Sequence, residues 1–253
     1  MKLIDKLDLC TKALALRKEL GEDTTSPIDI FSLAHTITQL TLVFYPMGDH
    51  ISGMCIKNDS NPVIAINSSM SVGRQRFSMA HELYHLYYDE NKQSTVCAIK
   101  IGTGNDTEKA ADQFASYFLM PPVALAEAIK KIHGMSTDNL GIKEIVKLEQ
   151  YFRVSRQALL CRLIEDNKLT PQQAEQFRQG IIRSAVNLGY DDSLYKPLPE
   201  DKRYKTYGYY IQQADELLQK GLVSTGKYEQ LLLTAFRPDL VYGDEFEGGE
   251  LND

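Results

Sequence analysis

At 253 residues, with 43% apolar and 25% charged side chains, the chain is long enough for one large domain or two small ones around a sizeable core. A net charge of −6 and a pI near 5.5 exclude a surface that binds nucleic acid through broad electrostatics. Cys10, Cys55, Cys97 and Cys161 lie scattered without CxxC spacing, which fits neither a zinc knuckle nor a disulfide framework, so they read as reduced and mostly buried thiols.

In chain order, Leu3, Ile4, Leu7, Leu9, Ala13, Leu16 and Leu20 follow helical spacing, and Gly21 supplies a stop. Ser26-Pro27 starts a second predicted helix that ends near His35. The period then changes. The runs 40–47, 52–58 and 62–67 are short, rich in β-branched or aromatic residues and divided by turn chemistry, which predicts a small antiparallel sheet. A helix is predicted from about Ser71 to Glu90, then an extended piece, "STVCAIKI", and the turn-rich "GTGND". The next helix begins near Asp106 or Thr107 and runs to Met120, where Pro121-Pro122 ends it.

The remainder is predicted helical: four amphipathic segments between Pro122 and Gly189, a polar linker or irregular wrap over 190–206, and two more helices. The end, "GDEFEGGELND", is acidic and glycine-rich and is expected to be disordered. Acidic residues interrupt the apolar positions of the N-terminus, and no stretch of about 18 apolar residues occurs, so the chain is expected to be cytoplasmic. The fold class is α+β.

The stretch "RQRFSMAHELYH" contains His81, Glu82 and His85 as HExxH. On a helix, residues four apart share a face about 6 Å from each other, so both imidazoles can address one tetrahedral ion. Glu82 lies about 100° further round, where a carboxylate can take a proton from water activated by the ion. Small and apolar residues precede the motif and Tyr84, Tyr87 and Tyr88 follow, giving a low-dielectric shell.

A catalytic zinc needs a third protein ligand. Glu108 supplies one, and Asp112, four residues on, shares its face and can accept the free N–H of His81. Asp89, Glu90, Asp106 and Cys97 are the competitors: the first two sit on the wrong stretch of the HExxH helix, Asp106 suits an N-cap, and the neighbours of Cys97 suggest a buried strand. Two histidines and a carboxylate accept Zn2+ or Mn2+.

"RQRFSMAHELYHLYY" and "EKAADQFASYFLMPP", with "PIDI" upstream and "YFRVSRQALLCRL" downstream, resemble the ImmA/IrrE metallopeptidases over roughly residues 10–190. The resemblance implies a thermolysin-like zinc-peptidase core, with His81, His85 and Glu108 on the metal and Glu82 as base. It also implies an antirepressor protease that cleaves a helix-turn-helix repressor and so relieves repression of mobile-element or stress-response genes. On this reading 1–135 is the metallopeptidase domain, 136–190 a helical, helix-turn-helix-like region, and 191–253 a C-terminal helical extension with an acidic tail. Tyr84 stands where many members carry Gly, and Phe118-Leu119 where paired leucines are usual, which bears on pocket shape.

Peptide hydrolysis also calls for an oxyanion donor, for which Tyr84, Tyr88, Tyr117, Arg76 and His133 are the candidates. An exposed edge strand, from "SGMCIKN" or "STVCAIKI", can bind an extended peptide through its main chain. Residues 142–163 have the outline of a helix-turn-helix, but Arg153, Arg156 and Arg162 are balanced by Glu144, Glu149 and Glu165, which argues against direct DNA binding. Two other readings stay open: a non-catalytic antirepressor that binds its partner stoichiometrically around a structural zinc, and a deformylase-like hydrolase with Cys55 as ligand.

Overall fold

The computed structural model describes residues 5–58, 60–89, 94–134 and 140–243. Asp5 opens helix α1 (Lys6–Glu19) by accepting the N–H groups of Leu7 and Asp8. The helix buries Leu9, Ala13, Leu16 and, unusually, Arg17. The Arg17 guanidinium donates to the carbonyls of Asp23 (2.6 Å), Phe118 (2.6 Å) and Ser26 (2.5 Å), so one side chain ties α1 to the following loop and to the centre of the chain. Arg17→Met leaves those carbonyls without their donor and is expected to cost about 3 kcal/mol, read as a lower urea midpoint with unchanged slope. The second helix, α2 (Ile30–Ala34), starts later than Ser26-Pro27 suggests, because Asp29 holds the N-cap position and is itself held by Ser32 Oγ and Arg76.

Five strands form one sheet in the order β4-β2-β3-β1-β5: β1 (Thr41–Tyr45), β2 (Ile51–Ile56), β3 (Val63–Asn67), β4 (Ser94–Ala98) and β5 (Lys205–Gly208). The sheet is mixed and not simply antiparallel, since β3 lies between β2 and β1 and runs parallel to β1. The outer edge of β1 would then be bare, and β5, drawn from the segment read as a linker or wrap, covers it in antiparallel register. At the other end β4 is an edge, so of the two peptide-binding strands considered only "STVCAIKI" is placed at one; β2 is paired on both sides.

Helix α3 (Val72–Tyr88) packs on β2 and β3 with one side and on α4 (Asp106–Leu119) with the other. Enclosed on both sides, it buries every residue from Gln75 to His85, including six polar or charged side chains, Gln75, Arg76, Ser78, His81, Glu82 and His85. Burying so many polar groups in one helix costs free energy unless each has a partner, which marks α3 as more than scaffold. Helix α4 is capped by Asn105, one residue ahead of the Asp106 that the sequence suggested, and the cap takes the N–H of Glu108 at 3.0 Å.

Beyond α5 (Pro122–His133), helices α6 (Ile142–Phe152) and α7 (Arg156–Glu165) are joined by a tight turn with Arg153 left-handed and Ser155 capping α7, so the helix-turn-helix outline exists in space. Two of its three arginines are committed inward, and Arg153 is exposed. Arg156 pairs with Glu149 and donates to Phe177 O and Ser184 Oγ, while Arg162 donates to Met120 O (2.9 Å) and Asp166 (2.8 Å). Both are at most 2% exposed. The next predicted segment divides at left-handed Gly180 into α8 (Pro171–Glu175) and α9 (Ile181–Val186). Helices α10 (Tyr209–Gln219), α11 (Thr225–Thr234) and α12 (Asp239–Tyr242) follow β5. The acidic tail lies outside the described residues. Among them no helix is long and apolar enough to cross a membrane.

Candidate metal centre

The i, i+4 spacing on α3 brings the His81 and His85 rings to a centroid separation of 5.1 Å, with their Nε2 atoms 3.2 Å apart. Glu108, in the first turn of α4, reaches the same point. Its Oε2 is 3.3 Å from His81 Nε2 and its Oε1 3.6 Å from His85 Nε2. Gly104 makes this approach possible: its φ of +92° suits glycine, and a Cβ there would lie 2.9 Å from Glu108 Cγ.

Each ring is oriented from behind by a carboxylate. His81 Nδ1 lies 2.8 Å from Asp112 Oδ1, and His85 Nδ1 lies 3.0 Å from Asp89 Oδ2. Asp112 is held in turn by the N–H of Gly102 at 2.6 Å. With both Nδ1–H groups committed to carboxylates, the two Nε2 atoms and the Glu108 oxygens face one another, an arrangement that a cation at their centre would reconcile. A tetrahedral ion with bonds of about 2.0–2.1 Å sets its ligand atoms roughly 3.4 Å apart, and the three spacings fall around that value, so the residues fit a zinc-sized ion.

The electrostatics of the metal-free chain point the same way. Burial works against a charged His81, but the hydrogen bonds that its ring donates to Asp112 and Glu108 outweigh it and raise the ring to about 10. His85 moves down, through burial and through its neighbour His81. A proton on His81 thus takes the place that a metal cation would hold. Glu82 is fully buried, and burial raises its carboxyl to about 7, a value suited to proton transfer near neutral pH.

The Glu82 carboxylate lodges against the cross-strand pair formed by Gly53 on β2 and Cys97 on β4. Its Oε2 lies 3.4 Å from Cys97 Sγ, and its Oε1 has no hydrogen-bond partner among the described residues. A buried oxygen of this kind requires a donor for its function, such as a reacting water. A Cβ at Gly53 would sit 2.8 Å from Glu82 Oε1 and 3.0 Å from Ala65 O. Gly53→Ala is therefore expected to displace the carboxylate and lower hydrolysis by about 10²-fold with zinc content unchanged, checked by kinetics beside metal analysis.

Two residues enter the site that sequence reasoning set aside. Asp89, discounted as a ligand, stands behind His85, and its i+4 spacing from that histidine was the available signal. Cys97 contributes its sulfur: one ligand atom each from His81, His85, Cys97 and Glu108 lies within 4.8 Å of the others. Cys55, weighed as a deformylase-type ligand, is buried outside that group.

The oxyanion candidates are placed elsewhere. Tyr84 packs its ring on His85, Tyr88 and Phe114; Tyr88 donates to Lys12 O; Tyr117 lies under the Arg162 guanidinium at 4.5 Å. Arg76 is spent on Asp29, Ile28 O and Arg153 O. These side chains follow the buried faces of their helices, away from the open side of the cluster, and the His133 side chain lies outside the described residues. That open side is a cleft of about 210 Å³ between β4 and the start of α4, lined by His81, Val96, Ala98, Lys100, Asn105 and Glu108 among others.

Two buried histidines and a half-buried glutamate on adjacent helices of an α+β fold form a cluster that fits a metal ion. The family model for peptidase M78, the IrrE N-terminal-like domain, matches residues 37–163, and the chain belongs to that family. A Mycobacterium tuberculosis transcriptional regulator of solved structure is similar at a TM-score of 0.43 and 15% identity, over 66% of this chain and 49% of that one. The chain thus spans about half the length of that protein. A comparison with curated protein sequences gives no match.

Proposed function

We propose that this chain is a zinc-dependent endopeptidase in which His81, His85 and Glu108 hold the ion and Glu82 is the general base. The observation that carries this reading is the convergence of two Nε2 atoms and a carboxylate whose supporting Nδ1 atoms already face Asp112 and Asp89. When bound, such an ion polarises a carbonyl and acidifies water; manganese would serve the same donor set. Glu82, with one buried oxygen unpaired, accepts the proton and returns it to the leaving amine. Asp112 and Asp89 keep both rings in the tautomer that offers Nε2.

The substrate we assign is a helix-turn-helix transcriptional repressor, cleaved in an extended segment. Edge strand β4 supports the extended binding mode, because it borders the cleft and exposes Val96 at 57%. In this division of labour residues 1–135 carry the chemistry, 136–190 dock or buttress the repressor, and 191–253 extend the domain. The test is to incubate the purified chain with the repressor encoded beside its gene and look for defined fragments, using Glu82→Gln as control.

One observation favours a second reading. Closed four-ligand zinc sites are structural, and Cys97 offers a fourth donor, which suits a non-catalytic antirepressor that displaces its partner by binding alone. Relief of repression without fragments would select it.

A further inference from the structure

Cys97 is 1% exposed, between the exposed residues Val96 and Ala98 of β4. Its thiol is the hydrogen-bond donor that the Glu82 carboxylate has among the described residues, at a long 3.4 Å, and a thiol is a weak donor for a buried carboxylate. A hydroxyl or amide would satisfy Glu82 better. Sulfur is instead the element that a borderline-soft ion such as zinc prefers, and this sulfur belongs to the same 4.8 Å group as His81, His85 and Glu108. Ligand atoms around one zinc ion lie roughly 3.3–3.7 Å apart, so a side-chain shift of about 1 Å brings the sulfur onto the ion. Gly53, opposite Cys97 in the strand register, presents no side chain that would stand between thiol and carboxylate.

We propose that Cys97 is a fourth, displaceable metal ligand that holds the peptidase in a resting form. The step would balance within the site: the Cys97 S–H bond breaks, its proton passes to Glu82 Oε2, the sulfur takes the coordination position, and the water that would occupy it leaves to solvent. Both requirements for hydrolysis are then withdrawn together, since the open coordination position is filled and the base is protonated. Opening is the reverse, with the proton returning to sulfur. The inference rests on the reading that His81, His85 and Glu108 hold the ion, and the test separates the two.

X-ray absorption at the zinc edge of the full wild-type chain is expected to show one sulfur at about 2.3 Å beside nitrogen and oxygen at about 2.0–2.1 Å. Cys97→Ser is expected to lose the sulfur shell, keep the others and hydrolyse substrate several-fold faster. The cobalt-substituted wild type should carry a sulfur-to-metal charge-transfer band that Cys97→Ser lacks. A wild-type shell of nitrogen and oxygen alone overturns the Cys97 ligand and leaves the peptidase reading standing, whereas a chain that takes up no zinc overturns both. A sulfur shell that survives in Cys97→Ser, or a variant no faster than wild type, also overturns the resting form. Should Cys97→Ser fail to fold, the wild-type spectra decide.

Discussion

Glu82→Gln is expected to keep its zinc and to lose about 10²–10⁴-fold in peptide hydrolysis, the range over which a positioned general base acts. The substitution is close to isosteric at a fully buried position: Gly53 lies against one Glu82 oxygen, where an added Cβ would come within 2.8 Å, and Cys97 Sγ lies 3.4 Å from the other. An amide cannot take up the proton that the carboxylate accepts, while His81, His85 and Glu108 stay as they are. Metal content by elemental analysis and repressor fragments by mass spectrometry give the two readouts. Undiminished cleavage would remove Glu82 from the chemistry. Full relief of repression by the variant, with no fragments, would transfer the case to the stoichiometric antirepressor.

Zinc itself is expected to raise the melting temperature of the wild type by about 10 °C at a free concentration a thousand times its dissociation constant. Ligand that binds only the folded state contributes about 4 kcal/mol under that condition, and a chain of this size moves by roughly 2–4 °C per kcal/mol. The physical source is local: the ion relieves the confrontation of two ring nitrogens 3.2 Å apart with a carboxylate at 3.3 and 3.6 Å. His85→Ala should abolish most of the shift, because on the proposed reading it removes one of the two imidazoles that hold the ion. A melting curve that zinc does not move, or one that His85→Ala moves as far as wild type, would count against the site.

Much of the site was legible because it depends on spacing within single helices. His81 and His85 share a face of α3 through four-residue periodicity, Glu108 and Asp112 share a face of α4 in the same way, and no long-range information enters either statement. The ordering of strand and helix segments, and the helix-turn-helix outline of α6 and α7, followed from apolar period and breakers that act locally. The charge balance read around Arg153, Arg156 and Arg162 included Glu149, with which Arg156 pairs, but not Asp166, the partner of Arg162.

What only the tertiary structure decided lies across elements. Strand order and register come from pairing partners far apart in sequence, so nothing near residue 41 announces that β1 runs parallel to β3 and receives β5 from residues 205–208. The same non-local register sets Gly53 opposite Cys97 and so brings that sulfur to Glu82, where its own neighbours had suggested no more than a buried strand. The surroundings of the polar oxyanion candidates were hidden for the converse reason: residue type is visible in a sequence, but a side chain's neighbours depend on which face its helix buries, and Tyr84, Tyr88, Tyr117 and Arg76 meet partners that only the fold supplies. Helical periodicity therefore specified the two i, i+4 pairs of the candidate site, while sheet register and burial specified what surrounds them, because the first is a property of adjacent turns and the second of the whole fold.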